Sequence, residues 1–195
     1  MFRKIFVIFR SIFLIPHIIV FKCSKNHKTI CADLDRWREF CPNGENYGYT
    51  YLFLYVMCFF KEFRNLFYLR VGNAKYFLRI FCKPLASLYL ISKNIGPGLF
   101  IQHGFSTILG LESMGSNCWV NQQVTLGHDG KGKPKIGNNV KILAGAKIIG
   151  DVTVGDNSVI GAGAVVVKDV PPNCVVVGSK AYIVKRNGEK VREEL

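Results

Sequence analysis

His103, Gln122, Ala144 and Ala162 share one offset: each stands two residues after an aliphatic residue of a regular series, Ile101, Val120, Ile142 and Ile160. An imidazole exchanges protons near neutral pH, so a histidine presented to solvent can take the proton of a hydroxyl as its oxygen attacks an electrophile. The two alanines lie among Gly145, Gly161 and Gly163, and small residues in a row leave a shallow track. Stacked at the spacing of paired strands, His103 and Ala162 would be three layers, or about 14 Å, apart. That length suits part of an extended thioester carrier. Lys168, Lys180, Lys185 and Arg186 gather toward the far end, where phosphates could be met by point charges or forked donors.

Such stacking needs a repeating scaffold, and the chain supplies one. From Ile136, every sixth residue is aliphatic: Ile136, Ile142, Ile148, Val154, Ile160, Val166. Four residues into each hexad come Val140, Ala146, Val152, Ser158, Ala164 and Val170, all small or β-branched. Turn formers fill the gaps, among them Gly137-Asn138-Asn139 and Gly155-Asp156-Asn157. A period of six matches neither a helix nor strand alternation. It matches a parallel β-solenoid in which each hexad is one short strand and one corner, with three hexads to a turn. Ile95, Ile101, Met114, Val120 and Leu126 continue the series backward if one extra residue is admitted near Thr107–Leu111. Leu126 and Ile136 are ten apart, so a polar loop from Gly127 to Lys135 is thrown out at one corner. The solenoid is expected over about Ile95–Gly178.

The chain of 195 residues divides near residue 94. Residues 1–94 hold 15 Lys/Arg against 5 Asp/Glu and 21 of the 25 aromatic residues; residues 95–195 hold 11 basic against 8 acidic. The expected organisation is a helical, basic and aromatic region over 1–94, a β-helix domain over 95–186 and a tail over 187–195. Seven scattered cysteines, without a C-x-x-C pair or histidines at ligand spacing, argue for reduced thiols in the cytoplasm and against a disulfide framework or a metal site. The basic, aromatic N-terminal region lacks a nucleic-acid recognition motif, which leaves an anionic membrane surface or an acidic partner as the better match to its charge.

Ile5–Phe21 is apolar but only 17 residues long, short of the roughly 20 that cross a bilayer, and no cleavage site of a signal peptide follows. Arg3, Lys4, Arg10, Ser11 and His17 form a narrow polar stripe on a helix there. Residues 1–22 then either pack into a core or lie in the headgroup layer with that stripe outward. Ala32–Phe40 reads as an exposed helix with Asp33 and Asp35 in its first turn, closed by Pro42-Asn43-Gly44. Tyr49–Phe60, Lys61–Gly72 and Lys75–Ile91, the last broken at Pro84, complete the helical region.

Ile95-Gly96-Pro97-Gly98-Leu99-Phe100-Ile101-Gln102-His103-Gly104 resembles the opening of the serine acetyltransferase class of hexapeptide-repeat acyltransferases. Val124-Thr125-Leu126-Gly127, the run from Lys133 through Gly150, Ile160–Gly163 and Lys168–Gly178 are similar too, so the likeness covers about residues 94–186. It implies a left-handed β-helix, usually trimeric, with acetyl-coenzyme A held in a groove between subunits. On that resemblance His103 is the general base, and Ala144 and Ala162 line the coenzyme A groove, beside Gly145 and with Lys168 and Lys180 toward the phosphates. Three positions depart. Leu88 stands where the family has the aspartate that orients the base, Gln102 replaces the acid before the histidine, and Lys133 replaces a second histidine in the long loop.

The implied activity is acetyl transfer from acetyl-CoA to a hydroxyl, with no metal. The departures shift the expected acceptor from serine to a sugar hydroxyl, as in acetyltransferases of capsular and other surface polysaccharides. Serine O-acetylation for cysteine synthesis is the alternative, and a non-catalytic β-helix serving as scaffold or membrane-docking module is a second. Gln122, His128 and Lys133 are the candidate acceptor contacts, although a loop histidine and a loop lysine are as simply solvated. Glu112 and Gln122 both remain as residues to orient His103.

Overall fold

The structure, a computed structural model, describes residues 2–178, 182–186 and 189–194. Short strands stack in three parallel sheets that form the faces of a β-solenoid. One face runs β1 (Leu88–Leu90), β3 (Thr107–Leu109), β6 (Thr125–Gly127), β9 (Lys147–Ile149), β12 (Val165–Val166). A second runs β2 (Phe100–Ile101), β5 (Trp119–Val120), β8 (Lys141–Ile142), β11 (Val159–Ile160), β13 (Val175–Val176). The third is β4 (Ser113–Met114), β7 (Lys135–Ile136), β10 (Thr153–Val154). The aliphatic series points inward: Ile101, Val120, Ile142 and Ile160 are in register on successive turns, each at most 1% exposed. β-Branched chains fill such a narrow interior because their stiff χ1 matches the extended backbone. Ser158, the one polar residue of the series from Val140 to Val170, donates its hydroxyl to Pro171 O at 2.9 Å.

The corners explain the Asn and Gly. Asn117, Asn139, Asn157 and Asn173 all have φ between 56° and 61°, a left-handed conformation that asparagine tolerates. Their amides form a ladder, Asn139 Nδ2 to Asn157 Oδ1 and Asn157 Nδ2 to Asn173 Oδ1, both at 3.0 Å. The solenoid reaches further back than Ile95, because β1 pairs with β3 through Leu88 and Thr107. At the other end β14 (Tyr182–Arg186) and β15 (Glu189–Glu194) pair antiparallel, so residues 189–194 of the expected tail form a strand.

Ahead of the solenoid stand α1 (Phe2–Cys23), α2 (His27–Arg38), α3 (Tyr49–Phe59), α4 (Lys61–Val71) and α5 (Lys75–Leu78). Helix α2 starts five residues before the expected Ala32, so Asp33 lies in mid-helix and not in the first turn. It is 1% exposed and accepts Arg70 Nε at 2.8 Å, Arg70 Nη2 at 3.2 Å and the Gly98 N–H at 2.7 Å. Burial pushes the Asp33 carboxyl up, against the opposing pull of Arg70 and of the Gly98 and Leu99 N–H groups. Arg70 also donates to Ile95 O and Gly96 O. Helices and solenoid thereby share one core, and Trp37 Nε1 joins them again by donating to Leu99 O at 2.9 Å.

Helix α1 is turned inside out. Its 22 residues extend beyond the apolar run, to about 33 Å at 1.5 Å per residue, which is long and apolar enough to cross a membrane by length and composition. Its buried residues are Val7, Leu14, His17 and Phe21, while Phe2, Ile5, Ile8, Phe9, Ile12 and Ile19 are each more than half exposed. The polar stripe divides: His17 is buried and Arg10 and Ser11 half-buried against the protein, as in the first of the two expected placements, while Arg3 and Lys4 are exposed at the helix start. Arg3 donates to Tyr55 Oη at 2.8 Å, and His17 Nε2 lies 3.0 Å from Tyr68 Oη. Burial and the nearby Arg64 cation lower the His17 pKa to about 4, so this ring is neutral at physiological pH.

Candidate functional site

The sheet pairings locate the irregularity at one corner. Ile101 to Leu109 is eight residues, whereas the matching steps Val120–Leu126, Ile142–Ile148 and Ile160–Val166 are six. Leu109 to Met114 is one short. The net extra residue agrees with the expectation of one insertion, but the chain places two at 102–107 and removes one later. Hydrogen bonds show where the two go. Gly163 N–H donates to Ala144 O at 2.9 Å, Gly145 N–H to Gln122 O at 3.0 Å, and Gln123 N–H to Phe105 O at 3.0 Å. Phe105, not His103, therefore heads the column of Gln122, Ala144 and Ala162. Counting from Ile101 misplaces His103 because a six-residue period cannot say on which side of a histidine an insertion falls.

The widened corner thrusts His103 outward. Its φ is 53°, its side chain is exposed, and Phe105 N–H turns back to donate to His103 O at 2.7 Å. The ring therefore stands outside the solenoid's interior. Gly104 permits the bend: a Cβ there would lie 2.7 Å from Ile101 Cγ2 and 3.2 Å from both Glu62 Cγ and Leu88 Cδ2. Beside the histidine, Trp119 Nε1 donates to Asn121 Oδ1 at 2.8 Å, and Asn121 Nδ2 reaches Gln102 Oε1 at 3.4 Å. This relay holds Gln102 in place.

Along the track, Ala162 and Gly163 are exposed, and Ala144 and Gly145 are half-buried. Gly145 and Gly163 have φ of 73° and 67°, and a Cβ on Gly163 would meet nothing within 4 Å, so open surface lies above it. Gln122 has a buried amide oxygen with no hydrogen-bond partner in the chain. Its neighbour in the column is Phe105, which is 45% exposed.

The remaining predicted residues lie across the β12 face. The long loop, closed by Lys131 and Gly132 N–H groups donating to Asp129 Oδ1 at 2.9 and 3.2 Å, carries His128 and Lys133, both exposed. Lys168, also exposed, follows β12 at that same far corner. Glu112 is there too, its N–H donating to Pro134 O at 2.8 Å, so it does not orient His103 within one chain. Gln122 makes no hydrogen bond to the histidine either. Lys180 lies outside the described residues. Among the described residues no group of three or more His, Cys, Asp or Glu side chains is placed to hold a metal.

Residues 133–168 match the family model of the bacterial transferase hexapeptide, six repeats. A serine acetyltransferase of Synechococcus elongatus is 44% identical over 103 residues, 50% of this chain and 42% of that protein. One from Staphylococcus aureus is 45% identical over 103 residues, 50% of this chain and 48% of that protein. The chain thus spans less than half the length of the curated relatives it matches. Among solved structures, the Neisseria gonorrhoeae serine acetyltransferase in complex with serine is 31% identical, with a TM-score of 0.64 over 82% of this chain and 69% of that one. Soybean serine acetyltransferase complexed with serine is 28% identical, with a TM-score of 0.63 over 82% of this chain and 70% of that one. The likeness takes in the helices as well as the solenoid, and the solenoid is the left-handed β-helix that the resemblance implied. On sequence and fold together, the chain belongs to the hexapeptide-repeat acyltransferases of the serine acetyltransferase type.

Proposed function

We propose that this chain transfers the acetyl group of acetyl-CoA to a hydroxyl acceptor, and that the acceptor is L-serine. The observation that carries the reading is His103, exposed on a widened corner beside an open track of small residues that Phe105 heads. A neutral imidazole accepts the acceptor's proton while its oxygen attacks the thioester carbonyl, and coenzyme A leaves as the thiolate, a far better leaving group than an alkoxide. Ala144, Gly145 and Ala162 line the pantetheine arm, and the unpartnered Gln122 oxygen can accept an N–H from it. The sequence favours a sugar hydroxyl; relatives named as serine acetyltransferases, with solved structures holding serine, support serine instead. His103 and the track lie at one corner and His128, Lys133 and Lys168 at another. A groove using both needs two copies, which supports a homotrimer with sites between subunits. Thiol release from acetyl-CoA with serine, compared with activated and lipid-linked sugars, tests the acceptor. His103→Ala is expected to lose about 10²–10⁴-fold in kcat. Absence of coenzyme A binding, or a variant equal to the parent, would leave only a scaffold.

A sugar acceptor on a lipid remains the second reading, because α1 turns its apolar residues outward. Such a face suits the cytoplasmic surface of an anionic membrane, with lipid around Ile5, Phe9 and Ile12 and the exposed Lys4 at the headgroups. Flotation with phosphatidylglycerol vesicles should retain the parent and release an Ile5→Glu/Phe9→Glu/Ile12→Glu variant. Equal partitioning of the two would end the membrane assignment, and a parent that assembles beyond the trimer while the variant does not would assign the face to a second copy.

A further inference from the structure

The family's orienting aspartate falls on Leu88, an apolar side chain 4% exposed that can hold no imidazole. A base without an orienting partner loses the fixed tautomer and ring direction that the reaction needs. The residue beside His103 shows what replaces it. A Cβ built on Gly104 would find Leu88 Cδ2 and Glu62 Cγ at the same 3.2 Å. Glu62, in the first turn of α4, therefore lies against the peptide next to His103, beside Leu88 of β1. Glu62 as a residue is half-buried, and its carboxylate has no hydrogen-bond or ion-pair partner among the described residues. The neighbouring elements anchor it firmly. Phe63 is fully buried, Arg64 Nε donates to Met57 O at 2.8 Å, and Asn65 Nδ2 donates to Leu85 O and Leu88 O, both at 3.0 Å. The start of α4 is thus tied to β1 itself, which holds the Glu62 backbone beside the His103 corner.

We infer that Glu62 is the positioning residue for His103, a carboxylate supplied by helix α4 where the rest of the family uses strand β1. The bond is not formed in this structure; it forms when the exposed ring turns toward the carboxylate, which then accepts the N–H of one ring nitrogen and leaves the other bare toward the acceptor hydroxyl. Glu112, the other acid weighed for this role, sits at a different corner, and Gln122 points its oxygen into the column. The assignment rests on His103 acting as the base.

Three variants test both at once, with His103→Ala reporting on the base and Glu62→Gln and Glu62→Asp on its partner. Glu62→Gln, which keeps size and loses charge, should lower kcat by about 10–100-fold while KM for acetyl-CoA stays within about twofold, because the carboxylate touches no coenzyme A. In the neutral ring the parent should favour one tautomer and Glu62→Gln should mix the two, as read from nitrogen shifts in 15N-histidine-labelled protein without any substrate present. Glu62→Asp should recover part of the rate and of the single tautomer. If His103→Ala abolishes turnover while Glu62→Gln leaves rate and tautomer unchanged, the positioning role is wrong and the base stands. If His103→Ala leaves turnover unchanged, it is the base that fails; a tautomer balance that still moves with Glu62→Gln then marks a pair without a catalytic use. Circular-dichroism melts of all three variants, expected within a few degrees of the parent, separate these outcomes from unfolding.

Discussion

The solenoid and the helical region solve the same problem, burying apolar surface, by opposite means. In the solenoid each inward residue meets copies of itself one turn above and below, as with Ile142 between Val120 and Ile160. Its core is a sum of similar local terms, and an error in one turn stays near that turn. The helical region instead depends on a few unique long-range links: Asp33 with Arg70, Trp37 with Leu99 O, His17 with Tyr68, and Tyr68 with Cys82 O. No neighbour repeats any of them. One consequence is that irregular chemistry, the widened His103 corner, arises where the two regions meet, since Glu62 and Leu88 both abut Gly104.

The strongest test of this contrast removes Asp33. Asp33→Ala leaves the Arg70 guanidinium buried beside carbonyls alone, and loss of one partner of a buried pair costs about 3–5 kcal/mol. Because that pair also holds Gly98 N–H, urea melts followed separately by tryptophan fluorescence and far-ultraviolet dichroism should both shift. In the solenoid, Ile142→Ala is expected to cost about 2–4 kcal/mol, the range for a buried aliphatic residue cut to alanine. A cost for Ile142→Ala well above that of Asp33→Ala would reverse the ranking of the two regions.

Protonation separates them more finely. The His17 pKa is lowered to about 4 in the fold, against about 6.5 for an ordinary imidazole. Between those values the unfolded chain binds more protons at this site, so stability rises with pH across the window and falls on acidification through it. His17→Phe should flatten that part of the stability–pH curve relative to the parent, whatever its absolute stability. An identical slope in both proteins would show that the ring is not held neutral.

The contrast also decides what could be read before any coordinates. The columns from Ile136 to Val170 are legible because the period fixes face, layer and corner together. The Asn and Gly corners follow, since few other residues tolerate φ near 60°. The corner at 102–107 is only half legible: its extra length shows in the count, but whether His103 or Phe105 heads the column is decided by hydrogen bonds between layers. In the helical region the polar stripe of α1 is visible and its direction is not, because an apolar face can be satisfied by protein, lipid or another copy. Asp33 reads as a first-turn helix acid for want of any local sign that its partner lies at Arg70. Glu62 likewise carries no mark in the run KEFRN that separates it from a solvated residue.

The smallest expected effect compares two kinds of corner. Gly163 has φ of 67° with open space where a Cβ would stand, so Gly163→Ala meets only the backbone penalty of the left-handed region, about 1–2 kcal/mol. Ser106, the residue in line with it three layers back, already bears that conformation at φ 53°. Ser106→Gly should therefore stabilise the fold by a fraction of that amount, less the entropy that glycine restores to the unfolded chain. Opposite signs in the two melts would mean that the His103 corner holds strain which the farther layers shed by using Gly145 and Gly163. If Ser106→Gly destabilises instead, the serine side chain contributes to the corner's shape, and turnover should fall with it, because His103 is held by the same six residues.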